Sequence, residues 1–597
     1  MSTVTEPDIV PAVAATAAVP PLTPIDHTRT LPANAALSAL ALATLASCGG
    51  GGSADTGNPD VIPALNLPGA GGKRPAEPSL ANRPSAIDAA RFLTQASFGI
   101  QSTQQIVQTQ QKGFALWLWE QFNTGVNLHT DYLDQQKLRN VDKKGVARAS
   151  DEMSYEAIWQ QWLFETGQLR ARVAFALAQI VVISNVAPDI RPYAMSSYMD
   201  MLNRNAFGNY RQLLKDVTLH PAMGYYLNMI NSERDNPETG AHPNENYARE
   251  VLQLFSIGLV KLNQDGTPQL DAAGKPLPTY DESVVQGFAR AFTGWSYPNA
   301  KGFDDANENA DAAWTSPMKP FPAQHSPETK KLLDGVVLPA GQTPEKDLED
   351  ALNNIFNHAN VGPFVCRQLI QRLVTSNPSP AYIARVAGVF NDNGSGVRGD
   401  LRAVISAILL DSEARSPAAS TTYGKQREPV IRFANFLRGL GARSENGINM
   451  IHYLEDADNG LGQSPLLAPS VFNFFSPNFR PVGPIALAGL VAPEFQITTE
   501  TTVVGGLNFF AKLFRQGGYG WGESQLKLNH APLQTLAANT DLLIAELNAL
   551  FFNYAMSSTL AQRMKTMINS YGVQDTHRRV KSALTLVSLS PEFIIQK

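Results

Sequence analysis

Cysteine is almost absent from this chain: Cys48 and Cys366 are the only two in 597 residues. If Cys48 carries a lipid, as its setting suggests below, Cys366 has no partner and no disulfide forms within the chain. The same count excludes a cysteine-based zinc site. Cys366 lies in the apolar stretch 361–370 and reads as a buried small hydrophobe. A surplus of either charge is also missing, with 48 Lys and Arg against 53 Asp and Glu. Binding nucleic acid by neutralising phosphates is therefore not the main role. Beyond the N-terminal region no run of about eighteen apolar residues occurs, which excludes a polytopic membrane protein. The nine histidines include no His-Glu-x-x-His pair. There is no Gly-x-Ser-x-Gly elbow and no Walker-type phosphate loop. What is present is an ordinary globular composition, 44% hydrophobic.

The N-terminal region is expected to be an export segment, residues 1–48. Residues 31–45 form a short Ala- and Leu-rich stretch, the length of a signal-peptide core and too short to span a membrane comfortably. Leu45-Ala46-Ser47-Cys48 follows and looks like a bacterial lipobox. A lipoprotein signal peptidase needs small residues before the cysteine, and only the thiol there can carry a diacylglyceryl thioether. The expectation is lipid attachment at Cys48, in the outer membrane or periplasm. Arg29 makes a thin basic region, so either the start lies later than Met1 or residues 1–30 are an extension. Residues 49–82, rich in Gly and Pro, read as a flexible tether.

From residue 83 to 597 the pattern is helical nearly throughout, which predicts an all-α fold: one large multi-helix domain, in one or two packed lobes. Leu169, Val173, Leu177 and Ile180 recur at helical spacing. Ser85, Asp281 and Asp400 read as helix caps, and Pro221 as a first-turn proline. Further helices are expected at 244–257, 283–293, 346–358, 362–375, 380–391, 400–411, 427–440, 498–513, 540–552, 557–570 and 575–589. Residues 259–280 hold an Asp265-Gly266 turn and a second turn near Gly274, and read as a minor β-hairpin. Two irregular excursions follow, at 296–345 and 441–497. Asp392–Asp400 superficially resembles a calcium loop but lacks regular oxygen ligands, and reads as a tight turn.

Several of these segments together resemble one family, the bacterial domain of unknown function 1800 family. The matching stretches are residues 90–99, 169–177 and 244–258. Phe288 to Trp295, His325 followed by Lys330 or Lys331, Arg427-Glu428-Pro429, Gly462-Gln463-Ser464-Pro465 leading into Phe472–Phe475, and Ser590–Phe593 match as well. The resemblance implies an exported, mainly helical protein. Such proteins often accompany a second exported family with a sulfatase- or phosphatase-like fold. It supplies no reaction, no cofactor and no catalytic residues.

The densest polar cluster is residues 242–250. Asn244 is expected to cap a helix by accepting from the amide near Tyr247. Glu245 and Arg249 can pair on one face, as can Asn246 and Glu250. In a site, Glu245 or Glu250 would act as general acid or base, or as a metal ligand, with Asn246 and Arg249 holding substrate. The competing reading is a buried network that locks neighbouring helices. Trp295, Tyr297 and Trp314 would form an aromatic platform for sugar rings, or would anchor a loop to the core. His325 would join Glu250 and Asp281 in a two-carboxylate, one-histidine metal site if the three meet, and is otherwise a hydrogen-bonding fixture. Two functions stay open. One is an envelope lipoprotein that binds or helps process an extracellular polysaccharide with an exported partner. The other is a hydrolase with its own carboxylate and histidine site.

Overall fold

Helices in this protein begin where the sequence supplies an oxygen for the first free amides. Ser85 accepts from the Asp88 amide and opens Ala86–Ala96. Asp281 accepts from Val284 and opens Glu282–Ala291, and Asp400 accepts from Arg402 and Ala403 at the head of Leu401–Leu410. Pro221, Pro380 and Pro429 stand in first turns, where their missing N–H costs nothing.

The computed structural model describes residues 73–186, 190–238, 240–415 and 422–597. Cys48, the apolar export stretch and the tether as far as residue 72 lie outside the described residues. The described part is predominantly all-α, and its strands are two-residue antiparallel pairs. The expected helices form as Asn246–Gln253, Glu282–Ala291, Pro344–Asn357, Val361–Leu373, Pro380–Asn391, Leu401–Leu410, Pro429–Gly439, Glu500–Gln516, Thr540–Phe552, Ser558–Asn569 and Thr576–Leu589. Among the described residues no helix is long and apolar enough to cross a membrane.

One continuous apolar core gathers their inner faces. Trp159 and Trp162 are fully buried, and Phe98 stacks on Trp162 at 4.3 Å. A second aromatic knot joins distant parts of the chain. Phe436 meets Phe514, Phe551 and Phe593 with ring centroids 5.0, 5.0 and 4.9 Å away. Beside it, Lys425–Gln426 pairs antiparallel with Ile595–Gln596. The Arg427 side chain donates to the Phe593 carbonyl at 2.8 Å. The C-terminus is thereby sewn to the start of Pro429–Gly439.

Residues 259–280 form a short meander with two turns. The backbone bonds Lys261 to Leu277, Gln269 to Lys261 and Leu277 to Gln269 tie three antiparallel segments together. Only isolated bridges result, at Val260–Pro278, Leu262–Pro268 and Leu270–Pro276. Each bridge has a proline on one side, which has no N–H to extend a ladder.

The 296–345 excursion is fastened at several points. Trp295–Ser296 pairs with Lys319–Pro320, and Lys330–Lys331 with Val337–Leu338. Gly287 faces the Lys331 backbone so closely that a Cβ there would sit 1.9 Å from the carbonyl oxygen.

Candidate functional site

The polar cluster at 242–250 forms a helix start that differs in detail from the expected one. Glu245, itself in helical conformation, occupies the cap position. The Asn244 Oδ1 therefore accepts from the Asn246 amide at 2.9 Å, not from Tyr247. Arg249 pairs with Glu245 at 2.9 Å and also with Glu282 of the next helix at 2.9 Å. Burial, and then the neighbouring Glu282 carboxylate, hold Glu245 above its ordinary value, while Arg249 pulls the other way. The expected Asn246–Glu250 pair is absent. Asn246 instead donates to the Asn228 Oδ1 at 3.2 Å. Glu250 turns inward, and its Oε2 has no partner among the described residues. Burial raises Glu250 above the carboxylate range, with Arg249 opposing. Its field also reaches Tyr226 and Tyr280.

His325 is buried and fully engaged. Its Nδ1 donates to the Thr293 carbonyl at 2.9 Å, and its Nε2 faces the Asp347 carboxylate at 2.8 Å. Lys330, with no exposed surface, meets the same carboxylate at 2.6 Å and donates to the Ser326 carbonyl at 2.7 Å. Gln342 donates to the other Asp347 oxygen at 2.5 Å. Burial raises the Asp347 pKa, but the bonds from His325, Lys330 and Gln342 outweigh it and leave the group below its ordinary value. This is a closed lock that pins the excursion to Pro344–Asn357. It leaves no histidine nitrogen free for a metal. Asp281 stands elsewhere, exposed, capping its helix and paired with Lys331 at 3.0 Å. Glu250, Asp281 and His325 therefore do not meet, and His325 is a hydrogen-bonding fixture. Among the described residues no group of three or more His, Cys, Asp or Glu is placed to hold a metal. Asp392 likewise spends its Oδ1 on the Gly394 and Gly396 amides, as a tight turn does.

The expected aromatic platform does not form. Trp295, Tyr297 and Trp314 are 3%, 1% and 2% exposed, so they anchor the loop to the core and offer no open face. Trp314 instead buttresses two tyrosines, meeting Tyr297 edge-on at 5.3 Å and Tyr225 at 5.8 Å. Tyr297 lines a cavity of about 380 Å3 with Tyr225, Tyr226, Asn228, Asn231 and Glu308. Asn228 and Asn231 have φ of 58° and 56°, the left-handed region that asparagine tolerates best after glycine. The turn they make aims short amides at the cavity wall, and the buried Asn231 Oδ1 has no partner among the described residues. Asn246 reaches this rim through Asn228, and Glu250 lies behind Tyr226. The sequence reading missed Tyr225, Tyr226, Asn228 and Asn231. The Tyr225-Tyr226 doublet and the asparagines shortly after it were the available signal.

A second site was missed altogether. At the inner end of Val361–Leu373, three buried cations and two buried carboxylates gather: Arg172, Arg372 and Lys425 with Glu428 and Glu494. The Arg172 Nη2 and the Lys425 Nζ both donate to the Arg372 carbonyl, at 2.8 and 2.9 Å. Lys425 pairs with Glu494 at 2.9 Å. Gln463 and Gln179 donate to Glu428 at 2.7 and 3.1 Å. Burial depresses the pKa of Arg172, Arg372 and Lys425, and the two carboxylates only partly restore it. Arg172, Glu428 and Gln463 lie in stretches singled out above by resemblance.

Fold and sites together define a large helical protein in which buried polar networks lock the helices and cavities open beside them. A family model described as "Protein of unknown function (DUF1800)" matches residues 91–595. The chain belongs to that family. Comparison with curated proteins and with solved structures gives no match.

Proposed function

We propose that the protein is an exported envelope lipoprotein, held by a lipid on Cys48, that binds an extracellular polysaccharide in its tyrosine-lined cavity. One observation carries the binding reading. Two half-buried tyrosines, Tyr225 and Tyr226, converge with Asn228, Asn231 and Glu308 on one opening of about 380 Å3, and the buried Tyr297 backs its wall. Tyrosine rings offer flat apolar faces to the C–H surface of a sugar, and their hydroxyls stay at the wet end. Asparagine amides both donate and accept, and a carboxylate accepts, which is the combination that pyranose hydroxyls require. The cavity volume suits one or two sugar rings. Burial, together with Glu250, pushes the Tyr226 hydroxyl up to about 12. An exported partner with a sulfatase- or phosphatase-like fold would act on the captured chain, as the company of similar proteins suggests.

The test is a glycan array probed with the full chain, followed by Tyr226→Ala. Binding to at least one neutral or acidic glycan that weakens about tenfold or more in the variant supports the reading. Failure to bind across a broad panel overturns it. Lipidation is tested separately, because a chain that takes up no lipid label at Cys48 overturns the anchor without touching the cavity.

A second reading, hydrolysis, rests on Glu250. A buried carboxyl with a raised pKa and an unpartnered oxygen, close to a cavity-lining tyrosine, has the features of a general acid. Glu250→Gln should then abolish product release from a bound glycan while leaving binding intact. Unchanged turnover removes Glu250 from the chemistry.

A further inference from the structure

In the buried cluster at Arg172, Arg372 and Lys425, two of the three cations, Arg172 and Arg372, have no carboxylate partner among the described residues, and Arg372 is the one that lines a cavity. Lys425 is satisfied by Glu494, and Glu428 is occupied by Gln463 and Gln179. The guanidinium of Arg372 receives no carboxylate. Its Nε and Nη1 have no partner among the described residues, although the side chain is 2% exposed. Its contact is the face of Phe475, 4.6 Å away. A buried cation left without a counter-charge is strongly destabilising. A group kept in that state inside a packed core calls for a counter-charge.

Arg372 also lines a cavity of about 530 Å3. Its neighbours on that wall are Arg367, Gln368 and Gln179. Arg367 is a second cation whose pKa burial depresses, with Arg480 adding to the effect. Among the described residues no Asp or Glu lines this cavity. The remaining wall is mostly apolar, with Leu254, Ile257, Phe364 and Val471, and carries Gln253, Ser476 and Asn478 as well. At its rim stand Leu259 and Phe472, which are 55% and 54% exposed. The lining therefore combines two cations and uncharged amides with a mostly apolar wall, and no carboxylate.

We propose that this cavity binds an amphiphilic carboxylate, with the carboxylate on Arg372 and Arg367 and its apolar body along Leu254, Ile257 and Phe472. A guanidinium fork matches the two oxygens of a carboxylate, and desolvation strengthens the pair. The apolar wall supplies the larger part of the binding energy, and the arginines select the head group. This site is separate from the tyrosine cavity, shares no lining residue with it, and stands without the glycan reading.

Isothermal titration of the full chain with dodecanoate, dodecanol, acetate and dodecyl phosphate tests it. Dodecanoate should bind, dodecanol about tenfold or more weakly, and acetate not measurably. Equal binding of dodecanoate and dodecanol overturns the role of the arginines. Tighter binding of dodecyl phosphate overturns the carboxylate assignment. Absence of dodecanoate binding overturns the site. Arg372→Met should lose dodecanoate about tenfold or more while keeping residual dodecanol affinity. If that variant does not fold, Phe472→Asp at the exposed rim keeps the test open. It should weaken dodecanoate, and unchanged affinity there places the ligand elsewhere.

Discussion

Removing the Asp347 carboxylate, on Pro344–Asn357, should cost more stability than any single change within the 296–345 excursion that it pins. Asp347 and Lys330 have no exposed surface, and His325 is 4% exposed. Asp347→Ala leaves the Lys330 ammonium with only the Ser326 carbonyl and leaves the His325 Nε2 facing an empty site. Breaking a buried pair from one side costs about 3–5 kcal/mol, because the remaining charge stays desolvated. The assay is urea unfolding followed by tryptophan fluorescence, with the midpoint shift read at constant slope. A double change, Lys330→Met with Asp347→Leu, removes both charges and should recover part of the loss. The pH dependence has a definite sign. The folded Asp347 carboxyl has a depressed pKa. Its contribution is therefore present above the unfolded value, about 4, and is lost as pH falls through the folded value. The gap between wild type and Asp347→Ala should be full at pH 7 and should close on the acid side of that range. A loss below about 1 kcal/mol at pH 7, or a gap independent of pH, would refute the buried-lock reading.

Other expectations follow from single contacts. Gly287→Ala should destabilise by roughly 1–3 kcal/mol or more, because its Cβ would meet the Lys331 carbonyl, and circular-dichroism melting checks it. Asp400→Ala removes the acceptor of two helix amides and an Asn393 bond, and should cost about 1–2 kcal/mol in the same assay. Arg249→Gln should cost less than about 1 kcal/mol, since its pairs with Glu245 and Glu282 are solvent-screened, and a larger loss would mark them as structural. The Cys366 thiol, pushed up by complete burial, should resist a thiol reagent in the native chain and react only after unfolding.

Most of the helical fold was legible because helices leave a local record. Period, caps and first-turn prolines all act within a few residues, and Ser85, Asp281, Asp400 and Pro221 do what their types suggest. The two-residue strand pairs had no such record. Lys425–Gln426 meets Ile595–Gln596 across most of the C-terminal half, and two residues carry no alternation to read. The polar helix at 246–253 was found, yet its bonds were misjudged by one position. With Glu245 drawn into helical geometry, Asn244 caps one residue earlier than expected, and Asn246 is free to reach Asn228.

The sites were less legible than the fold for a physical reason that Arg172 and Arg372 make plain. On a helix, charges are read as the outer face, because an unpaired charge in the core is prohibitive. That inference fails when the compensating charge comes from far away along the chain. Arg172 and Arg372 stand on different helices, and the nearest carboxylates, Glu428 and Glu494, come from a helix cap and from the 441–497 excursion. None of these lies within a helical turn of another. Only the folded arrangement shows that the balance is incomplete and that its surplus cation lines a cavity. The irregular excursion, which by pattern alone is a stretch without structure, is what closes this network: it contributes Glu494 to Lys425 and Gln463 to Glu428. The excursion is held by these buried polar contacts together with its own backbone bonds, such as Leu461 to Leu454 and Ala492 to Phe479, and with the buried side chains of Ile451, Leu454 and Phe475.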